Sequence, residues 1–392
     1  MAEIKIYDTT LRDGSQMEGI NFSVQDKIQI ALKLDELGIH YIEGGWPGSN
    51  PKDIAFFEKA QKISFRNAKI CSFGSTRKAE TKPDQDKNLR LLLEAGSPVI
   101  TIFGKSWTLH VKRALRTTLD ENLKMIDDSI NFLKSAGKTV FFDAEHFFDG
   151  YKQDRDYALK TIEVAYNAGA DAIILCDTNG GALPYEIETI FSQVMSQLPK
   201  SFEIGMHAHN DGGVAVANSL VAISCGANQI QGTFNGYGER CGNANLCSII
   251  PNMVLKMGIS CLSEEKLKNL VDVSRFIDET ANMRPNRYQP FVGKSAFTHK
   301  GGIHASAIMR DPLTYEHIIP DLVGNQRRIL VSEQAGKSNI LYRAHQAGVD
   351  LQPDDSRVTS LIEKIKESES YGYQYEGADA SFEMMLRETL GE

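Results

Sequence analysis

Two histidines one residue apart, His207 and His209, stand at the end of a short apolar run, Phe202–Met206, and Asn210-Asp211-Gly212-Gly213 turns the chain after them. Along a strand, residues two apart share a face, so both imidazoles project together off the strand end. Side-by-side neutral imidazoles suit a divalent ion. The pair also reads as one core histidine and one loop histidine, and the partners elsewhere in the chain decide between the two. Asp13 and Asn243 are those partners. One carboxylate, two imidazoles and an amide oxygen make a mixed nitrogen and oxygen site for Mg²⁺, Mn²⁺ or Zn²⁺. Such a set leaves two positions of an octahedral shell, open to a chelating oxygen ligand; a 2-oxo acid could supply both oxygens, one from its keto group and one from its carboxylate. A Lewis acid there polarises the carbonyl toward attack. Arg12, beside Asp13, keeps its charge at working pH and suits a developing oxyanion, a contact of roughly 3–4 kcal/mol. Its structural alternative is an ion pair with a nearby acid, Glu145 being the nearest in kind.

The elements that must position these groups follow a simple rhythm. Short β-type runs recur at Ile4–Tyr7, Tyr41–Glu43, Lys69–Phe73, Val99–Phe103, Thr139–Asp143, Ala172–Cys176, Phe202–His207 and Gln229–Thr233. Helical patterns separate them: Ser23–Leu37, Pro51–Ile63, Gln85–Ala95, Asp120–Ala136, Asp154–Ala168, Tyr185–Leu198, Gly213–Cys225 and Asn243–Met257. In the first, Ile30, Leu34 and Leu37 share a face, and Ser23 with Asp26 forms a capping pair. Gly38, Gly96, Gly137 and Gly169 sit where helices must stop. Alternation of this kind predicts an α/β fold, a (β/α)8 TIM barrel, followed by a smaller and mostly helical lid and linker region. An open doubly wound sheet is the other architecture, but it calls for a GxGxxG turn after the first strand, where this chain has Asp8-Thr9-Thr10-Leu11-Arg12-Asp13-Gly14.

Catalytic groups of such barrels come from the C-terminal ends of strands. Here those ends carry Arg12 and Asp13, Glu43, Asp143 and Glu145, Asp177 and Thr178, His207 and His209, then Asn235, Glu239 and Asn243. Loops are polar anyway, which explains any one of these better than the whole ring.

The chain has 392 residues and a formal net charge of −8. No basic block or arginine-aromatic interleaving occurs, which argues against nucleic acid as a partner. Cys71, Cys176, Cys225, Cys241, Cys247 and Cys261 form no CxxC pair, so neither a disulfide framework nor a thiolate zinc site is expected, and a reducing cytoplasm fits. No signal peptide, transit peptide or membrane-spanning run is visible.

The predicted domains are the catalytic barrel at 1–257, a lid and linker subdomain at 258–330 and a helical C-terminal subdomain at 331–392. Leu262–Asn282 looks helical, and Arg284–Pro290 breaks it. Histidines then bracket Gly301-Gly302, with a helix beginning near His304. Ser338–Ala347, Asp355–Lys366 and the amphipathic tail Ala378–Leu390 are further helices. The tail's apolar face, Phe382, Met385, Leu386 and Leu390, needs a partner in this chain, a second subunit or a further domain.

Three motifs carry a resemblance. Asp8–Gly14, His207-Ala208-His209-Asn210-Asp211 and Gly236-Tyr237-Gly238-Glu239-Arg240-Cys241-Gly242-Asn243-Ala244 resemble the signatures of the metal-dependent synthases that condense acetyl-CoA with 2-oxo acids. That family holds the 2-isopropylmalate, homocitrate and citramalate synthases and is related to 3-hydroxy-3-methylglutaryl-CoA lyase. The match runs to about Lys337-Ser338-Asn339. It implies Asp13, His207 and His209 as ligands of a divalent metal ion, with Asn243 a further or water-bridged one. Arg12 becomes the oxyanion arginine, and Glu145 the acid paired with it near the acetyl group. Thr178 contacts the 2-oxo acid carboxylate, and Gln16 and Asp143 join Arg12 as substrate-binding residues. His304 is the lid histidine and base relay, with Tyr315 a looser match to a lid tyrosine.

Tyr41–Asn50 and Phe103-Gly104-Lys105-Ser106-Trp107 look most like the citramalate branch, whose members join acetyl-CoA and pyruvate on a route to isoleucine. Ser15-Gln16-Met17-Glu18-Gly19 departs from the Glu-Gln-X-Pro-Gly of the other synthases. Phe73 and Phe103 suit a pocket sized for a methyl group, although one methylene is worth only about 1–3 kcal/mol. The alternatives are a 2-isopropylmalate or homocitrate synthase, a metal-dependent acyl-CoA lyase or aldolase that would use Cys241, and a non-catalytic relative. The resemblance also implies a homodimer in which the lid of one subunit serves the other. Full members carry a C-terminal regulatory domain, and this sequence is expected to stop at or before it.

Overall fold

Every β-type run becomes a strand, displaced by no more than two residues at either end: β1 (Lys5–Asp8), β2 (Tyr41–Gly45), β3 (Lys69–Ser75), β4 (Val99–Lys105), β5 (Thr139–Glu145), β6 (Ala172–Asp177), β7 (Glu203–Ala208) and β8 (Gln229–Gly232). The computed structural model describes residues 4–199 and 201–391. The eight strands form a closed parallel barrel in sequence order. It closes where β1 meets β8, in register from Lys5 opposite Gln229 to Asp8 opposite Gly232. The helices that return the chain are α1 (Val24–Leu37), α2 (Pro51–Ala60), α3 (Lys87–Glu94), α4 (Leu119–Ser135), α5 (Arg155–Asn167), α6 (Pro184–Met195), α7 (Ala215–Ser224) and α8 (Leu246–Leu255).

Local chemistry sets the helix limits. The Ser23 hydroxyl accepts from the Asp26 N–H, and the Asp26 carboxylate accepts from the Ser23 N–H. At the far end Gly38 takes φ +102°, a left-handed conformation that ends α1 without strain on a side chain. Ile30, Leu34 and Leu37 are buried on the barrel-facing side.

The barrel interior is layered by strand parity. Tyr7, Cys71, Phe141, Ile174 and Cys176 belong to one apolar cluster within it. Toward the C-terminal ends the inward positions turn polar, with Glu43, Thr101, Asp143, His207 and Gln231 all buried.

Two features depart from the sequence expectation. A short helix, Phe147–Gln153, follows β5, between the expected strand at Thr139–Asp143 and the expected helix at Asp154–Ala168. Gly150 permits it, because a Cβ there would stand 2.2 Å from the Ser106 carbonyl oxygen. The helix expected at Leu262–Asn282 is broken into Glu264–Leu267 and Leu270–Thr280. The second piece packs on α1, and Asp278 accepts from the Asn235 amide at 2.6 Å and from the Tyr237 hydroxyl.

The chain forms two compact units, Met1–Pro285 and Asn286–Glu392. The first unit extends past the end of α8 because Leu270–Thr280 packs on the barrel. In the second, Thr298–His299 pairs in parallel with Arg328–Ile329. Helices follow at Gly302–Arg310, Lys337–Gln346, Ser356–Ser370 and Asp379–Leu390. The apolar face of the last is covered within this unit: Phe382 and Leu386 are buried with Ile340, Leu361 and Ile365. All six cysteines are free. Among the described residues no helix is long and apolar enough to cross a membrane.

Candidate active site at the barrel mouth

β7 delivers His207 and His209 to the barrel mouth, and the turn after β1 delivers Asp13. His207 Nε2 lies 3.4 Å from Asp13 Oδ2, and His209 Nε2 lies 3.8 Å from it. Those separations are long for hydrogen bonds. They are close to the about 3.0–3.5 Å spacing that donors adopt around one ion at about 2.1 Å from each. Among the described residues this trio is the one group of three histidine, cysteine or acidic side chains that could hold a metal ion, and all three are buried.

The charge states fit as well. Burial alone would raise the Asp13 carboxyl, but Arg12, the two imidazoles and the Asn243 amide outweigh it and hold the group at about 2. Burial, with His207 alongside, brings His209 down to about 4. Burial also lowers His207, against the pull of Asp13. The trio thus offers one carboxylate and two neutral imidazoles near neutral pH. His209 Nδ1 and Asn243 Oδ1 are buried without hydrogen-bond partners among the described residues.

Asn243, expected as a ligand, meets the site with the other end of its amide. Its Nδ2 donates to Asp13 Oδ2 at 2.7 Å, so in this arrangement it orients the carboxylate. The Gly236–Asn243 loop permits that approach only with glycine at its bends. A Cβ on Gly242 would lie 1.9 Å from the Gly236 carbonyl oxygen, and one on Gly238 2.1 Å from Asn243 Oδ1.

Arg12 is paired, but with Glu43 and not with the expected Glu145. Its Nε donates to Glu43 Oε1 at 2.6 Å. Glu43 Oε2 accepts from the Tyr7 hydroxyl at 2.8 Å, and that hydroxyl lies 2.7 Å from Thr101 Oγ1. The guanidinium rests 3.7 Å above the Phe73 ring. Burial would lower the arginine, but Glu43 and Asp13 more than reverse that and drive it upward. Glu145 instead forms an ion pair with Lys105. The reason is register: β4 and β5 place Lys105 directly opposite Glu145, whereas Glu43 stands on β2, next to the strand that ends before Arg12.

A cavity of about 230 Å³ gathers Arg12, Asp13, Gln16, Asp143, Glu145, Thr178, His207 and His209. Thr178 Oγ1 accepts from the His146 N–H at 2.9 Å, which leaves the hydroxyl hydrogen free to donate into the cavity. Burial and the nearby Glu43 push the Asp143 carboxyl well up. Its Oδ1 accepts from Gln231 Nε2 at 3.1 Å.

Sequence reasoning missed the aromatic wall's third member and two bracing groups. Trp46 joins Phe73 and Phe103 in the lining. Its ring meets both edge-on, at centroid separations of 5.9 and 5.7 Å. Asn88 accepts from Trp46 Nε1 at 2.7 Å and fixes the indole. Arg240 donates to both oxygens of Asp211 and to the Thr178 carbonyl, tying three strand-end loops together. Gln231 was missed as well, and a polar residue at inward parity in an apolar strand was its signal. The remaining two predicted residues lie in the second unit, where the His304 and Tyr315 rings stack at 4.1 Å.

Comparison with known proteins gives the site a context. A family model described as HMGL-like matches residues 3–277, and one described as homocitrate synthase post-HMGL domain-like matches residues 291–372. The chain is 55% identical to an (R)-citramalate synthase of Geobacter sulfurreducens, an alignment covering 100% of this chain and 74% of the relative. It is 54% identical to one of Aquifex aeolicus, with the same shares covered. The crystal structure of an HMG-CoA lyase from Bacillus subtilis shares the fold, with a TM-score of 0.61, 22% identity, and coverage of 72% of this chain and 94% of that one.

Proposed function

This chain belongs to the (R)-citramalate synthases, acyltransferases within the HMGL-like family, and we propose that it condenses acetyl-CoA with pyruvate and water to give (R)-citramalate and CoA. The observation that carries the reading is the convergence of Asp13, His207 and His209 with Arg12 and Thr178 around one small cavity.

A divalent ion held by Asp13, His207 and His209 supplies Lewis acidity and positive charge where the keto carbonyl is attacked. Arg12, held from behind by Glu43, presents its remaining N–H groups to the oxygen that gains charge, a contact of roughly 3–4 kcal/mol. The free hydrogen of Thr178 and the Gln16 amide receive the pyruvate carboxylate. Asp143, pushed toward its neutral form, borders the substrate with little repulsion of that carboxylate. Lys105 and Glu145 face the acetyl thioester. His304, with Tyr315 stacked on it, takes the proton from the acetyl methyl group, a role worth about 10²–10⁴ in rate. The new carbon–carbon bond forms from the methyl carbon to the keto carbon, and water then cleaves the thioester to release CoA.

Pyruvate is favoured over larger 2-oxo acids because Trp46, Phe73 and Phe103 wall one side of the cavity. 2-Oxoglutarate would need a spare cation for its second carboxylate. Among the described residues the two arginines that line the cavity are matched, Arg12 with Glu43 and Arg240 with Asp211, and Lys105 at the end of β4 is matched with Glu145. We further propose a cytoplasmic homodimer in which His304 serves the site of a second copy. Exposed Ile303, Met309, Leu313 and Ile319 give that second unit an apolar surface to bury.

The test is a thiol-release assay across pyruvate, 2-oxobutyrate, 2-oxoisovalerate and 2-oxoglutarate. Pyruvate is expected to give the highest kcat/KM. A higher value for 2-oxoisovalerate would move the assignment to a 2-isopropylmalate synthase.

A further inference from the structure

We propose that Gln231 selects the histidine tautomer that the metal site requires, with Asp143 fixing the direction of its amide; this rests on the metal-site reading given above. Three strands contribute. His207 on β7 stands in register with Gln231 on β8, so the two side chains are neighbours on the inner face of the barrel. Asp143 reaches Gln231 from β5. Both Gln231 and Asp143 are buried, Gln231 completely.

A carboxamide has one donating end and one accepting end. Gln231 Nε2 donates to Asp143 Oδ1 at 3.1 Å, a contact the carboxyl accepts whether ionised or carrying its proton on the other oxygen. In this arrangement the oxygen end of the amide is left facing His207. Gln231 Oε1 lies 2.9 Å from His207 Nδ1. An amide oxygen only accepts, so Nδ1 carries the hydrogen. In a neutral imidazole Nε2 is then a bare lone pair. It faces Asp13 Oδ2 at 3.4 Å, and two acceptors so placed repel unless a cation lies between them. The opposite tautomer would let Nε2–H bond Asp13 and close the site without any ion. Gln231 therefore holds the site open for a metal before the metal arrives. His209 shows no such device, since its Nδ1 is buried without a partner among the described residues. The two imidazoles are inequivalent, and the one in the barrel interior is set in advance.

The experiment uses chelator-stripped protein labelled with ¹⁵N histidine. Two-bond ¹H–¹⁵N correlation reports the tautomer of each imidazole, with His207→Gln identifying the His207 signals, and calorimetry with Mn²⁺ reports affinity. Metal-free wild type is expected to carry the His207 hydrogen on Nδ1. Gln231→Met removes both polar ends at similar volume, so it should move that hydrogen to Nε2 and weaken Mn²⁺ binding about 10- to 100-fold, with kcat largely recovered at saturating Mn²⁺. Gln231→Glu keeps an acceptor and should retain the wild-type tautomer and an affinity within about threefold. A structural role alone would lower the unfolding midpoint and leave tautomer and affinity unmoved. A wild-type His207 protonated on Nε2, or a Gln231→Met protein binding Mn²⁺ as tightly as wild type, would overturn the proposal. Should Gln231→Met fail to fold, the wild-type tautomer of His207 decides it. Absence of Mn²⁺ binding by wild type would instead remove the metal-site reading beneath it.

Discussion

Glu43 Oε1 lies 2.6 Å from Arg12 Nε, deep enough that the glutamate is wholly buried. The same carboxylate takes the Tyr7 hydroxyl on its other oxygen, so it is braced on both sides. Arginine's planar fork is what allows one nitrogen to be anchored while others face the cavity. Glu43→Gln keeps the shape and removes the charge, which leaves the Arg12 cation buried without its mate. Loss of about 3–5 kcal/mol in unfolding free energy is expected, read by urea titration near neutral pH, together with a fall in kcat larger than the change in KM for pyruvate. An unchanged urea midpoint would mean that Asp13 alone suffices to hold Arg12.

The aromatic wall predicts a change of specificity. Phe103 stacks on Phe73 at 5.4 Å, and Trp46 closes against both. Phe103→Ala should open room for one more methylene. The ratio of kcat/KM for 2-oxobutyrate to that for pyruvate should rise by about tenfold or more. A flat ratio would place the substrate methyl group against another wall.

Asp8 carries a dependence on pH. Burial drives its carboxyl up to about 7, against hydrogen bonds from the Thr10 backbone and hydroxyl. Between about pH 4 and 7 the folded protein holds a proton that the unfolded chain has lost, so this residue makes stability fall as pH rises through that window. Asp8→Asn removes the effect. From about pH 5 to about pH 8 the variant should gain about 2–3 kcal/mol relative to wild type, measured as the difference between their urea unfolding curves. Parallel pH profiles would show that Asp8 ionises normally in the fold.

Much of this was legible in the sequence because it is local. Strand alternation, the Ser23 cap and the terminal glycines are written in neighbouring residues, and they produced the barrel. His207 and His209 were legible for the same reason. Pairings across the barrel were not. Arg12 takes Glu43 because β2 lies beside β1, and Glu145 takes Lys105 because β4 and β5 set them opposite each other, facts of register that no spacing along the chain reveals. The Asn243 amide shows the same limit: the loop brought it to Asp13, and the close approach of Gly238 accompanies an amide turned nitrogen-first. The amphipathic tail was recognised as needing cover, but only the packing of Phe382 and Leu386 identified the cover as its own unit.

On the proposed mechanism, condensation of the acetyl group with a 2-oxo acid depends on an ion held by Asp13, His207 and His209. The direct measurement is CoA thiol release by chelator-stripped protein, with and without added Mn²⁺ and with and without pyruvate, beside the same assay on Asp13→Asn. Release is predicted only when ion and pyruvate are both present, and a large loss is predicted for the variant at every Mn²⁺ concentration. Full thiol release by stripped wild-type protein, or by Asp13→Asn, would contradict it.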